Sequence, residues 1–343
     1  MSQPRPDTLW YTRCPVPTAS TIAIRQGWLT DTFAREGITV KSMRHSPDPA
    51  TRESHYTHTL ANSFRQGGNA PALYAKSEGA DTILLALNLV DQYQGVLVRA
   101  DSPYQNLEDL RGKRLAVPVR TTDKIDFWRA TALQGCRNVL AAAGMSLTDL
   151  RLVEIPSPHS YLAMFAEVND DDVDVPRLHR QHLAETLALL RGEVDVIMGY
   201  SAWGVSLREQ FNLRQLAKVD SNAARQSRVN NGFPETLTVS GGLLRDHPEL
   251  VDRYVQQLQR AVAWGEKHAD AVRRILAQEI GVAEYWISEG TTANLAMTLD
   301  SSALAALDER KAFLLEHGFL RHDFELKHWM DPGPLLRAQA PQT

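Results

Sequence analysis

The sequence predicts an α/β protein built in two lobes. Strand-like and helix-like segments alternate from the N-terminus to about residue 200, which implies parallel sheets covered by helices. A chain of 343 residues, 43% of them hydrophobic, has enough apolar material for two cores. Beyond about residue 245 the pattern becomes almost wholly helical.

The elements follow in order. "DTLWYTRC", residues 7–14, alternates like a strand, and "TASTIAIRQGWLTDTFAREG", 18–37, reads as one helix. Thr18 or Ser20 would cap that helix and Gly37 would end it. "ITVKSM" is a second strand, and the polar stretch 44–63 has no apolar period and reads as a loop. "NAPALYAKSEG" is a short helix, and "TILLALNL" and "QGVLVRAD" are strands. A helical turn in "NLEDLRGKRLAVPV" feeds another strand, followed by the helix "DFWRATALQGCRNVLAAAG" and the strand "LRLVEIP". "LAETLALLRGEVDVIMGY" is a helix, a glycine turn and a strand; "ETLTVSGGLL" returns as a strand. Three helical segments follow, in 247–267, 269–281 and 301–319.

The formal net charge of −4 leaves no basic footprint for nucleic acid. No apolar run approaches the roughly 20 residues of a membrane helix, and the first ten residues lack the apolar core of a secretory signal. Two cysteines, Cys14 and Cys136, make no disulfide framework, so reduced thiols and a cytoplasmic setting are expected. Cys136, among Leu133, Val139 and Leu140, reads as core. His55 and His58 lie three apart, but no further ligand follows at metal spacing and HExxH is absent, so no metal is expected and His58 reads as a surface or loop residue. "NDDDVD", 169–174, reads as a solvated loop.

Cys14 is the residue that asks for a chemical explanation. It falls between a strand and a helix, where open α/β sheets bind ligands. The segments "NLEDLRGKRLAVP", "LAAAGMSLTDLRLVEIP", "ALLRGEVDVIMGYSAW" and "SGGLLRDHPELVDRYVQQLQRAVAWGEKHAD" resemble the bacterial solute-binding proteins of the sulfonate, taurine and nitrate type. Together they cover most of residues 7–330 and imply a two-lobed periplasmic-binding-protein-like fold (type II) with a ligand cleft between lobes. The implied lobes are 1–98 plus 230–343, and 99–229.

"DTLWYTRCPVP", "SHYTH" and "FRQGGNAPAL" more specifically resemble the aryl sulfinate desulfinases of dibenzothiophene desulfurisation. These cofactor-free enzymes cleave 2'-hydroxybiphenyl-2-sulfinate to 2-hydroxybiphenyl and sulfite. The resemblance places the functional cysteine on Cys14, the histidine on His55, the arginine on Arg65 ten residues later, and the second glycine after it on Gly68. An arginine fork suits two sulfinate oxygens, and backbone at Gly67 and Gly68 would approach the same oxygens. The thiol would attack sulfur as a nucleophile or protonate the ring carbon as a general acid. His55 would orient it or shuttle its proton.

Phe64, Trp128 and Trp203 are the candidate walls of an aryl pocket, although buried tryptophans mostly serve packing. The expected protein is thus a monomeric aryl sulfinate desulfinase with no cofactor, metal, nucleic-acid or membrane partner. The competing expectation is the solute-binding component of an ABC transporter for sulfonate, taurine or nitrate-like anions, in which Cys14 would be dispensable.

Overall fold

The computed structural model describes residues 4–157, 160–165, 182–220, 224–288 and 295–340. The acidic run 169–174 lies outside the described residues.

The chain opens with β1 (Thr8–Arg13), α1 (Ala19–Arg25), α2 (Trp28–Ala34), β2 (Thr39–Ser42), α3 (Pro49–Thr57), β3 (Ser63–Gly67), α4 (Asn69–Ser77) and β4 (Thr82–Asn88). It continues with β5 (Gln94–Arg99), β6 (Arg114–Val119), α5 (Phe127–Ala141), β7 (Arg151–Pro156), α6 (Leu183–Leu190), β8 (Ile197–Tyr200), α7 (Ser201–Gln210) and β9 (Leu213–Lys218). The last part holds α8 (Arg225–Arg228), β10 (Glu235–Ser240), α9 (Gly241–Asp246), α10 (Pro248–Gly265), α11 (Ala269–Ile280), β11 (Met297–Thr298), α12 (Ser301–Glu316) and α13 (Gly333–Gln339).

The strands form a large sheet in the order β11-β4-β10-β3-β1-β2 and a smaller set, β8-β5-β9 with β6-β7. The Leu115–Val196 bridge ties β6 to the residues leading into β8. The sheets are mixed, which corrects the expectation of parallel ones. β1 runs parallel to β2 and β3, and β6 to β7, but β10 is antiparallel to both its neighbours and β5 to both of its own. The chain leaves the large sheet after β4 and re-enters it as β10, which slots between β3 and β4 running the opposite way. β5, assigned above almost wholly to lobe one, pairs with β8 and β9 of the small set instead.

The expected single helix over 18–37 is two. Gly27 takes a left-handed φ of 73° and breaks α1 from α2. The expected loop 44–63 contains α3, started by Asp48, whose carboxylate accepts from the N–H groups of Ala50 and Thr51, with Pro49 in the first turn. The helix lacks an apolar period because its buried residues are Ser54, His55 and Tyr56. By contrast α10 buries Leu250, Val251, Tyr254, Val255, Leu258, Ala261 and Val262, a helical stripe that packs beside α1 and α13.

Candidate active site

The site is built on three adjacent strands. Thr12 of β1 lies opposite Arg65 of β3, and Arg65 lies opposite Thr238 of β10, so the three side chains form a row on one face of the large sheet. Helix α3 covers that row. His55 Nδ1 lies 3.0 Å from Thr12 Oγ1, and His58 Nδ1 lies 3.5 Å from Thr238 Oγ1. His58 is therefore buried, which corrects its reading as a surface residue. It is the C-cap of α3, and its left-handed backbone (φ 53°) turns the chain in towards β3. Burial, with the charge of Arg65 next, holds both imidazoles well below their usual pKa, so both are neutral at pH 7.

Arg65 is 2% exposed. One terminal nitrogen, Nη2, donates to Cys14 Sγ at 3.4 Å. Its Nε and Nη1 are buried with no hydrogen-bond partner among the described residues. A buried guanidinium with two unused donors is costly unless something anionic is to meet it.

Cys14 follows β1 directly. Its N–H donates to the Gln66 carbonyl at 3.2 Å, and its own carbonyl accepts from Val16 N–H at 2.8 Å. The two glycines after Gln66 serve close approach. A Cβ on Gly67 would stand 2.5 Å from Cys14 Sγ and 2.7 Å from Cys14 Cβ, and one on Gly68 would stand 2.5 Å from Asn231 Nδ2. Gly68 lines the cavity; Gly67 instead makes room for the thiol.

The helix N-termini nearby are already satisfied. Ser20 N–H donates to Gln66 Oε1 and Thr21 N–H to Thr18 Oγ1 at the start of α1. Asn69 N–H donates to the Asn231 carbonyl and Ala70 N–H to its Oδ1 at the start of α4. These first-turn N–H groups are thus spent inside the protein, and a charged donor at the cavity is the side chain of Arg65.

Cys14, His55, Arg65 and Gly68 line one partly open cavity of about 30 Å³ together with Phe127, Trp128, Tyr161 and Trp203. Trp203 is fixed by donating Nε1–H to the Ile280 carbonyl at 2.9 Å. Trp128 lies with its ring centroid 5.7 Å from that of Trp203, and His182 meets its ring edge-on at 4.2 Å. Tyr161 lies 5.6 Å from the His55 ring and meets Phe127 edge-on.

Phe64 is not part of this wall. It is 1% exposed and stacks flat on Tyr254 of α10, with ring centroids 3.7 Å apart. Strand alternation requires this: if Arg65 faces the cavity, its neighbour Phe64 must face the other side. Sequence reasoning also missed Phe127, Tyr161, Gln92, Tyr200 and Asn231 as lining residues. Phe127 and Tyr200 sat beside motifs already singled out, in "DFWR" and "GYSAW"; Tyr161 had no local signal. Cys136 is fully buried, and burial pushes its thiol up to about 12, in keeping with a core role.

Among the described residues no helix is long and apolar enough to cross a membrane. No protein-family model matches the chain. It is 28% identical to 2'-hydroxybiphenyl-2-sulfinate desulfinase of Rhodococcus erythropolis, over 95% of this chain and 92% of the relative. It is 24% identical to a putative aliphatic sulfonates-binding protein of Bacillus subtilis (strain 168), over 73% of this chain and 62% of that protein. The crystal structure of the desulfurization enzyme DszB superposes with a TM-score of 0.74 at 26% identity, covering 97% of this chain and 98% of that one. A cysteine-to-serine mutant of DszB in complex with biphenyl-2-sulfinic acid gives 0.73 at 26% identity, covering 97% and 99%. The periplasmic aliphatic sulphonate-binding protein SsuA from Escherichia coli shares the fold, with a TM-score of 0.63 at 14% identity over 95% and 92% of the two chains. In sequence and fold, then, this chain is similar to 2'-hydroxybiphenyl-2-sulfinate desulfinase, on the two-lobed α/β scaffold of the sulfonate-binding proteins.

Proposed function

We propose that this protein is a desulfinase that hydrolyses the carbon–sulfur bond of an aryl sulfinate and releases sulfite. The observation that carries the reading is Arg65: a buried guanidinium with two unpartnered donors, beside a thiol, in an aromatic cavity. A sulfinate offers two oxygens that can accept from the donors of a guanidinium. Phe127, Trp128 and Trp203 supply a wall for an aryl group.

The roles of the site residues follow from charge. A thiolate attacking sulfur would bring one anion against another. The thiol acting as acid avoids this: Cys14 gives its proton to the ring carbon as the carbon–sulfur bond breaks, and sulfur dioxide departs. Water adds to sulfur dioxide to give bisulfite and a proton, and that proton returns to Cys14. Arg65, donating to Sγ, stabilises the transient thiolate. His55, neutral and held by Thr12, is suited to relay the returning proton. One water is consumed and no cofactor is required.

The same proposal includes a cytoplasmic setting and hinge movement between two lobes, the chain passing from one to the other between β4 and β5 and returning before β10. A cavity of about 30 Å³ holds little more than one water, so the walls must part to admit an aryl group.

The test is sulfite release from 2'-hydroxybiphenyl-2-sulfinate and from benzenesulfinate, beside a Cys14→Ser control. Sulfite from the wild type and none from the variant is expected. Release that survives in the variant would remove the thiol from the mechanism. An intact-mass spectrum showing sulfur dioxide attached to Cys14 during turnover would make the thiol a nucleophile instead. No release, with reversible binding of sulfonates, would make the protein a binding protein.

A further inference from the structure

The inner cavity does not end at its aromatic wall. Gln92 and Ser201 line both this cavity and a much larger groove of about 520 Å³ on its outer side. The groove continues past Tyr93, Val205, Phe233 and Trp286. Gln92 and Tyr200 line the same cavity as Arg65, so a biaryl sulfinate held at Arg65 would have both within that cavity's walls.

The threshold carries polar groups that carbon–sulfur cleavage does not use. Gln92 Nε2 donates to Glu235 Oε1 at 3.2 Å, and Gln92 Oε1 is buried with no partner among the described residues. Tyr200 is 5% exposed; its hydroxyl accepts from Gly232 N–H at 2.8 Å, and its own proton has no acceptor among the described residues. The two side chains meet at Gly232, where a Cβ would come 2.1 Å from Gln92 Nε2 and 2.7 Å from the Tyr200 hydroxyl. Glu235, wholly buried, anchors the pair from below, with its other oxygen accepting from Asn88 Nδ2 at 2.8 Å. Burial pushes its carboxyl well above the usual range, so no charge is presented to the threshold.

A free acceptor beside a free donor matches one chemical group best. A hydroxyl donates to the Gln92 oxygen and accepts from the Tyr200 O–H. A carboxylate or second sulfinate would face the Gln92 oxygen unfavourably, and an unsubstituted ring would leave both groups buried and unpaired.

We propose that Gln92 and Tyr200 form a subsite that recognises an aromatic hydroxyl on the distal ring of the substrate and of its phenolic product. This rests on the aryl sulfinate reading of the inner cavity for its catalytic arm, but its binding arm stands alone.

The experiment compares 2'-hydroxybiphenyl-2-sulfinate with biphenyl-2-sulfinate by kcat/KM, and 2-hydroxybiphenyl with biphenyl by calorimetric binding. Wild type, Tyr200→Phe and Gln92→Met are measured in both. The wild type should prefer the hydroxylated member of each pair by roughly tenfold or more. Each variant should lose most of that preference, read as the ratio between the two members of each pair. Either variant alone suffices if the other fails to fold. No preference in the wild type, or a preference kept in both variants, overturns the proposal. Hydroxyl-selective binding without sulfite release would instead uphold this subsite and refute the desulfinase reading.

Discussion

Gly67→Ala probes the close approach of the β3 backbone to the Cys14 thiol. The backbone there has φ 151°, which L side chains rarely adopt, and the new methyl would lie 2.5 Å from Cys14 Sγ, 2.7 Å from Cys14 Cβ and 3.2 Å from Cys14 N. Carbon contacts settle near about 3.5–4.0 Å, so the overlap is roughly 1 Å. Sγ can rotate aside, but Cβ and N move only with the backbone. Overpacking of this kind costs about 1–3 kcal/mol, and backbone strain adds about 1–3 kcal/mol. Displacing the thiol by roughly 1 Å should lower kcat by about a hundredfold. Urea denaturation and sulfite release read the two effects separately. The clash is isolated by repeating Gly67→Ala in a Cys14→Gly background, where Sγ and Cβ are gone. There the stability loss should shrink by at least about 1 kcal/mol. A Gly67→Ala protein with wild-type stability and rate would refute the argument that this glycine exists to seat the thiol.

Other outcomes follow from the same geometry. Arg65→Ala should weaken binding of an aryl sulfinate by roughly a hundredfold or more, because hydrogen bonds to charge are worth about 1.5–3 kcal/mol each; unchanged affinity by calorimetry would remove Arg65 from the anion site. His58 has its pKa lowered by burial from 6.5, so the unfolded chain takes up a proton that the fold excludes. Its contribution is complete above that pH and is lost as pH falls, so the stability difference between wild type and His58→Gln should move in the variant's favour by about 1.4 kcal/mol between pH 7.5 and 5.5. A pH-independent difference in urea midpoints would count against a buried neutral His58. Phe64→Leu should cost about 1–2 kcal/mol through lost packing on Tyr254 yet leave KM for aryl sulfinates within about twofold; a large KM change would put the ring back in the pocket.

The elements that the sequence disclosed are those with apolar patterning. β4, β5 and α10 read correctly because their burial is apolar, near-continuous in the two strands and helical in period in α10. Two of the elements it hid, α3 and β3, hold His55 and Arg65. β3 is buried at all five positions, yet its sequence is Ser-Phe-Arg-Gln-Gly. α3 turns Ser54, His55 and Tyr56 inward. A polar buried face gives no hydrophobic period, so the pattern rule fails at the site and succeeds around it.

By itself, then, the sequence disclosed the α/β scaffold, because local pattern is a property of the chain, and by resemblance it singled out Cys14, His55, Arg65 and Gly68, which the fold brings to one cavity. Only the tertiary structure decided which strands run antiparallel, that Phe64 turns away while Tyr161 and Phe127 turn in, and that His58 is buried beside Thr238. It alone brought Gln92, Tyr200 and Glu235 together, residues far apart in the chain. Sheet order, face and cross-chain contact depend on which distant segments pair, and that pairing is set by the burial of the whole fold rather than by any local stretch.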